Sequence, residues 1–217
     1  MKTNNSSLQE QAINDTEQFL EILDPTAGHF HFLVLDDAKP GRISPVPFVG
    51  TFQESAELLK AKNSAGAGVF VAIQPHPKDK PRKKQFTSEV RTFLIDLDGA
   101  ALKPVLQKLT GAGLSPNMVV NTSPGKYHVY IKVVGCPLGQ YSTVQKTLAA
   151  MFDGDPAVND LPRVARIPGF HHNKDPKSPF MSTLHSIGDS EPYQFDVIID
   201  RLGIQLGTPI QKEPTST

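Results

Sequence analysis

Phe93-Leu94-Ile95-Asp96-Leu97-Asp98-Gly99 is an apolar run closed by two acids two positions apart and a glycine, and it reads as a strand that ends in a pair of carboxylates. Alternate side chains on a strand share a face, so Asp96 and Asp98 project to one side and Ile95 and Leu97 to the other. Two like charges this close repel unless something neutralises them, and a divalent cation with hard oxygen ligands is the usual partner. A strand end with two solvated acids has the same sequence, so this pair acquires a chemical meaning only from its surroundings.

Working outward, the elements are short and mixed in type. Upstream, Leu8, Ala12, Ile13, Phe19, Leu20 and Leu23 recur at helical spacing until Asp24-Pro25 stops them. Residues 30–35 read as a buried strand. Thr51 and Glu54 form a capping-box pattern that opens a helix through Ala56, Leu58, Leu59 and Ala61 to about Asn63 and Gly66, and 69–73 follow as a strand. A Pro- and Lys-rich loop at 74–88 leads into the acidic strand at 90–97. Downstream come a helix at 102–109, strands at 118–121 and 127–133 joined by a polar turn, a helix at about 139–151, a strand at 181–186 and a helix at 195–202. The fold class is α/β (α+β), with polar ends at 1–7 and 207–217 that are expected to fray.

Composition narrows the function classes. At 217 residues the chain can bury a core without staples. Lys and Arg total 22, as do Asp and Glu, so no whole-chain field draws it to nucleic acid or to an anionic membrane. Any nucleic-acid site must therefore be a local patch. The lone Cys136 excludes an internal disulfide framework and a multi-cysteine zinc ribbon, as suits a reducing compartment. No stretch approaches the about 18 apolar residues of a membrane span, and MKTNNSSLQEQ has no hydrophobic signal core. The expectation is a cytoplasmic protein with no membrane partner.

Two further segments carry polar chemistry. In Asn121-Thr122-Ser123-Pro124-Gly125-Lys126-Tyr127-His128, a small turn opens into a strand. Its amides and hydroxyls can hold phosphate oxygens and His128 can donate to the same anion, although Ser-Pro-Gly is also ordinary hairpin chemistry. The segment from Asp153 to Lys174 sets Asp153, Asp155 and Asp160 before Arg163 and Arg166, then a Pro168-Gly169 turn and His171-His172-Asn173-Lys174. Planar guanidinium groups suit bidentate phosphate recognition, and a third carboxylate would complete a site for two metals. Separated carboxylates, a Ser/Gly/His turn and an arginine pair together are what nucleotidyl transfer requires.

In this order, D-x-D at a strand end, S-x-G-x-x-H and an acid-rich segment leading to R-x-x-R-x-P-G-x-x-x-N-K, the chain resembles the archaeo-eukaryotic primase superfamily. Within it, the match is to the RepB-like primase branch of plasmids and phages, over about residues 17–200. The resemblance implies an RRM-like catalytic sheet over 89–206, preceded by an N-terminal α/β unit over 8–88 that helps hold the template. It also implies a DNA primase/polymerase that uses two Mg²⁺ or Mn²⁺ ions on Asp96, Asp98 and Asp155, with Asp153 and Asp160 competing for the third role. Ser123, Gly125, His128, Arg163, Arg166 and Lys174 would bind the nucleotide. Lys78, Lys80, Arg82, Lys83 and Lys84, with Phe86 beside them, would contact the single-stranded DNA template. The implied partners are that template, NTP or dNTP, and a helicase or separate helical initiation domain, because this branch carries a helical domain beyond its core.

Other classes compete. His29-Phe30-His31 matches the His-hydrophobic-His pattern of rolling-circle initiator endonucleases, with Tyr127, Tyr130 or Tyr141 as nucleophile. A D-x-D glycosyltransferase and a non-catalytic RRM-like single-strand-binding module are further readings. His76, His171, His172 and His185 read as satisfied surface histidines.

Overall fold

A computed structural model describes residues 3–38, 44–189 and 191–206, and two sheets organise them. The first is built from β1 (Phe30–Asp36), β2 (Val46–Gly50), β3 (Ala67–Ala72) and β7 (Val164–Arg166), in the order β2-β1-β3-β7, antiparallel throughout. In the second, β4 (Thr92–Leu97) and β5 (Met118–Ser123) both pair antiparallel with β6 (Lys126–Val134), and β10 (Thr183–Ile187) flanks β5. The two-residue β11 (Tyr193–Gln194) runs parallel to the end of β6, and β8 (His171–His172) pairs with β9 (Phe180–Met181).

Five helices cover these sheets: α1 (Thr3–Leu23), α2 (Phe52–Ser64), α3 (Leu102–Gly111), α4 (Tyr141–Phe152) and α5 (Phe195–Leu202). Strand alternation divides the second sheet between two cores. Leu94, Met118, Val120 and Tyr130 turn toward a core shared with α1, α2 and the first sheet. Phe93, Ile95, Val119, Val129 and Ile131 turn to the opposite core, beneath α3, α4 and α5. The first core thus ties both sheets to α1, whose Phe19 meets Tyr130 edge-on with ring centroids 5.5 Å apart.

Local signals explain the boundaries. The capping box is present: Glu54 N donates to Thr51 Oγ1 (3.2 Å) and Thr51 N donates to Glu54 Oε2 (2.8 Å). At the Pro168-Gly169 turn φ is +86° at Gly169, and a Cβ there would lie 2.1 Å from the Ala12 carbonyl oxygen. Glycine lets α1 approach this closely. Thr16 Oγ1 then donates to the Pro168 carbonyl (2.8 Å).

Besides the two-residue β8, β9 and β11, two longer strands lie where sequence periodicity predicts none. β2 contains Pro47, which weakens a strand reading, yet β2 is an edge strand and a missing ladder donor is tolerated there. β7 has only three residues, too few for a period, and it returns from the second half of the chain to the first sheet. A division at 88/89 therefore does not follow the sheets. Helix α1 starts at Thr3, within the segment expected to fray, whereas Met1, Lys2 and the tail at 207–217 lie outside the described residues. No helix among the described residues is long and apolar enough to cross a membrane.

Candidate active site

The register of β4 against β6 places Asp96 directly opposite His128, and Leu97 opposite Tyr127. Asp98, one residue beyond β4, ion-pairs with Lys126 at the start of β6. Period-two alternation therefore puts two acids on one face, each confronted across the ladder by a nitrogen base. His128 Nε2 lies 3.6 Å from Asp96 Oδ1, and Nδ1 lies 3.5 Å from the Tyr130 hydroxyl. Burial pushes the His128 imidazole below its ordinary value; Asp96 pulls it up and Arg166 adds to the lowering. Burial thus favours the neutral ring beside Asp96.

The third acid arrives through the main chain. Asp153 ends α4 in the left-handed region at φ +55°, and Gly154 N closes onto the Ala149 carbonyl (2.8 Å). The next residue, Asp155, donates its N–H to the Asp96 carbonyl at 2.9 Å. Its carboxylate Oδ1 accepts from Ala157 N (2.8 Å). Asp160 is paired with Arg163, so of the three candidate acids Asp155 is the one whose main chain is bonded to Asp96.

A cavity of about 290 Å³ opens at this junction, lined by Asp96, Asp98, Ser123 and His128 from the β4–β6 region and by Arg163, Arg166 and Lys174 from the 163–174 segment. Gly125 stands at the hairpin turn at φ +73° and Asp155 beside β4, and neither lines the cavity. Arg163 donates to the Ala157 carbonyl, and among the described residues its Nε is buried without a hydrogen-bond partner. Hard carboxylate oxygens on one face at the cavity wall are a donor set that suits a divalent ion such as Mg²⁺ or Mn²⁺. No three His, Cys, Asp or Glu side chains among the described residues converge into a metal cluster, and the Asp155 carboxylate accepts from Ala157 N.

Arg166 is held differently from Arg163. Both of its terminal nitrogens donate to Asp37 (2.7 and 3.0 Å), and its guanidinium lies over the Phe70 ring at 4.6 Å. Asp37 also accepts from Asn173 N (2.8 Å). A Cβ on Gly68 would lie 2.4 Å from Asp37 Oδ1, so glycine leaves the carboxylate its place. Asn173 and Asn63 close this node by bonding the carbonyls of Ala67 and His171.

Asp37, Asn63, Phe70 and Lys126 were not singled out by sequence reasoning. An acid just past a buried strand, and a glycine inside the next one, are the signals that pointed to Asp37. His76, read as a surface residue, is buried, whereas His172 is half-buried and lines the cavity with Nδ1 3.2 Å from the Thr122 carbonyl. Burial, then Arg166, pushes the His172 imidazole below its ordinary value.

The 74–88 loop is anchored. His29 Nε2 donates to the His76 carbonyl (2.8 Å), His31 Nε2 to the Pro77 carbonyl (3.1 Å), and Arg82 to the Pro162 carbonyl next to Arg163. Lys78, Lys83 and Lys84 stay exposed, while Lys80 pairs with Asp79 (3.1 Å). The His29-Phe30-His31 triplet therefore spends its Nε2 hydrogens on a loop. Tyr130 and Tyr141 are fully buried and Tyr127 packs edge-on against His185, so none of the three matches an exposed nucleophile.

The family model of the RepB DNA-primase N-terminal domain matches residues 39–193. Mobilization protein A of Escherichia coli is 35% identical over 71 residues, which are 32% of this chain and 10% of that protein. Among solved structures, primase RepB' superposes with a TM-score of 0.65 at 20% identity, covering 88% of this chain and 62% of that one. The AEP domain of the cyanophage S-2L primase-polymerase gives 0.71 at 14% identity, covering 87% and 97%. The catalytic domain of primase RepB' in complex with initiator DNA gives 0.62 at 21% identity, covering 89% and 94%. At these identities the solved structures establish a shared fold. The chain spans a tenth of the mobilization protein and about three fifths of the longer RepB' chain.

Proposed function

The chain belongs to the RepB DNA-primase family, and from that premise we propose that it is a plasmid- or phage-type primase-polymerase joining nucleotides on a single-stranded DNA template. The observation that carries this reading is that one cavity receives the carboxylates of Asp96 at the end of β4 and Asp98 just past it, and cationic or donor groups from β6, the 163–166 segment and Lys174.

Asp96 and Asp98, with Asp155 joined to them through the Asp96 carbonyl, are the residues that would hold divalent ions. Such ions, when bound, supply charge neutralisation at the transferring phosphoryl group and activation of a 3′-hydroxyl. The protein's own groups orient the triphosphate. Arg163 and Lys174 bring positive charge, and Ser123 and the neutral His128 bring directional hydrogen bonds without further charge. Arg166, neutralised by Asp37, positions the wall on which the nucleotide rests. Catalysis on this reading is mostly positioning and electrostatic stabilisation. The exposed Lys78, Lys83 and Lys84, carried on a loop tied by Arg82 to the cavity rim, form the track for the template backbone.

Incubating the protein with single-stranded DNA, labelled nucleotides and Mg²⁺ or Mn²⁺ tests the proposal. New oligonucleotides should appear that depend on template and metal and vanish in Asp96→Asn. Template binding without any synthesis would leave an RRM-like binding module, and a covalent 5′-phosphotyrosine adduct would restore the rolling-circle reading.

A further inference from the structure

Lys126 begins β6 immediately after the Gly125 turn, and its ammonium ion-pairs with Asp98 at the cavity wall. On the face that carries the acids, the two rungs are unlike. Asp96 faces the His128 ring across the ladder, whereas Asp98 is in contact with the Lys126 ammonium. The lysine thus contacts one of the two carboxylates that would hold a divalent ion.

We propose that Lys126 is a resident counter-ion of the site: it occupies Asp98 while no nucleotide is bound, competes with divalent ions for that carboxylate, and transfers to the triphosphate when nucleotide arrives. This rests on the primase reading above. Three features support an exchangeable contact. The Lys126 and Asp98 side chains retain 39% and 56% of their exposure, so water competes for both partners and the pair is weak. A lysine ammonium is a point charge on a flexible stem, able to swing between acceptors without the fixed fork of an arginine. Its root lies in the hairpin whose Ser123 lines the same cavity, so a short swing leads from one acid to a phosphate held there. Two like-charged acids two residues apart on one strand face repel, and a tethered cation relieves this repulsion in the nucleotide-free protein. A divalent ion carries twice the charge and displaces it, and a polyanionic triphosphate gives it a new partner.

The test is titration of the purified full chain with Mn²⁺, free ion being read by electron paramagnetic resonance, first without nucleotide and then with a fluorescent triphosphate analogue in saturating Mn²⁺. Without nucleotide, Lys126→Met should bind Mn²⁺ about 3–10-fold more tightly than the unsubstituted chain, as expected for removing one nearby charge. It should bind the analogue roughly tenfold more weakly. Lys126→Arg keeps the charge and should return both values toward the starting ones. A merely structural role would not tighten metal binding. If Lys126→Met binds Mn²⁺ no more tightly, or holds the analogue equally well, while Asp96→Asn loses Mn²⁺, the counter-ion role is wrong and the metal site survives. If the unsubstituted chain and Asp96→Asn bind Mn²⁺ alike, the metal-dependent primase reading falls, and the counter-ion role with it.

Discussion

Two cation–carboxylate pairs stand at one cavity, which Arg166 of the first and both members of the second line, and they behave as opposites. Arg166 and Asp37 keep 8% and 5% of their side-chain exposure, are joined by two hydrogen bonds, stack on Phe70 and tie down Asn173. Lys126 and Asp98 keep 39% and 56% and sit at the open end of a strand pair. Desolvation makes the difference. Once water is excluded, either partner left alone is a buried charge, so the arginine pair is scaffold. Where water remains, each partner can be re-solvated or exchanged, so the lysine pair can take part in binding. One wall of the site holds shape and the other holds exchangeable charge.

The largest expected effect belongs to the exchangeable wall. Asp96→Asn removes the charge that the proposed reaction needs and keeps the size of the side chain. It should lower primer synthesis about a thousandfold or more while its thermal melting matches that of the unsubstituted chain. A melting temperature that falls sharply would mean that Asp96 is scaffold too. Next comes the opposite wall: Asp37→Ala leaves Arg166 buried and uncompensated, and should cost about 3–5 kcal/mol in urea unfolding. Were the loss below about 1 kcal/mol, the arginine pair would rank with the surface pairs and the contrast would disappear.

Smaller effects sharpen the picture away from the acids. Replacing Lys78, Lys83 and Lys84 together by Gln should lower the salt dependence of single-stranded DNA binding by about 2 in logarithmic slope, at about 0.7 per phosphate contact. Stability should not change, because these side chains are exposed. An unaltered slope would leave the anchored loop without a template role. The mildest test is acidification. His31, His76, His128 and His172 are each pushed below the ordinary imidazole value, first of all by burial. A folded-state value below the unfolded one means that the unfolded chain binds more protons. Stability should therefore be complete above the unfolded value of about 6.5 and be lost as pH falls through the lower folded values. Melting curves between pH 8 and pH 5 measure this, and a melting temperature rising on acidification would contradict the burial of these rings.

Legibility followed the range of the signal. The capping box, the helix at 195–202 and the strand pair around the S-x-G-x-x-H turn rest on local chemistry, and the sequence reading of them agrees with the fold. β2 was obscured by Pro47, because a proline means edge strand or no strand and only the sheet order tells which. β7 is three residues long and owes its existence to the ladder of β3. The site divides in the same way: the acids, the turn and the arginine pair were readable as motifs, whereas Asp37 was not, since 129 residues separate it from Arg166.

From sequence alone came the candidate acids Asp96 and Asp98 and the face they share, because strand alternation is a property of the backbone and needs no partner. It also gave the family likeness, carried by the spacing of those groups. Tertiary structure alone decided which charges are locked and which are free to move. That depends on how much water each keeps, and burial is set by segments far apart in the chain meeting around a common core.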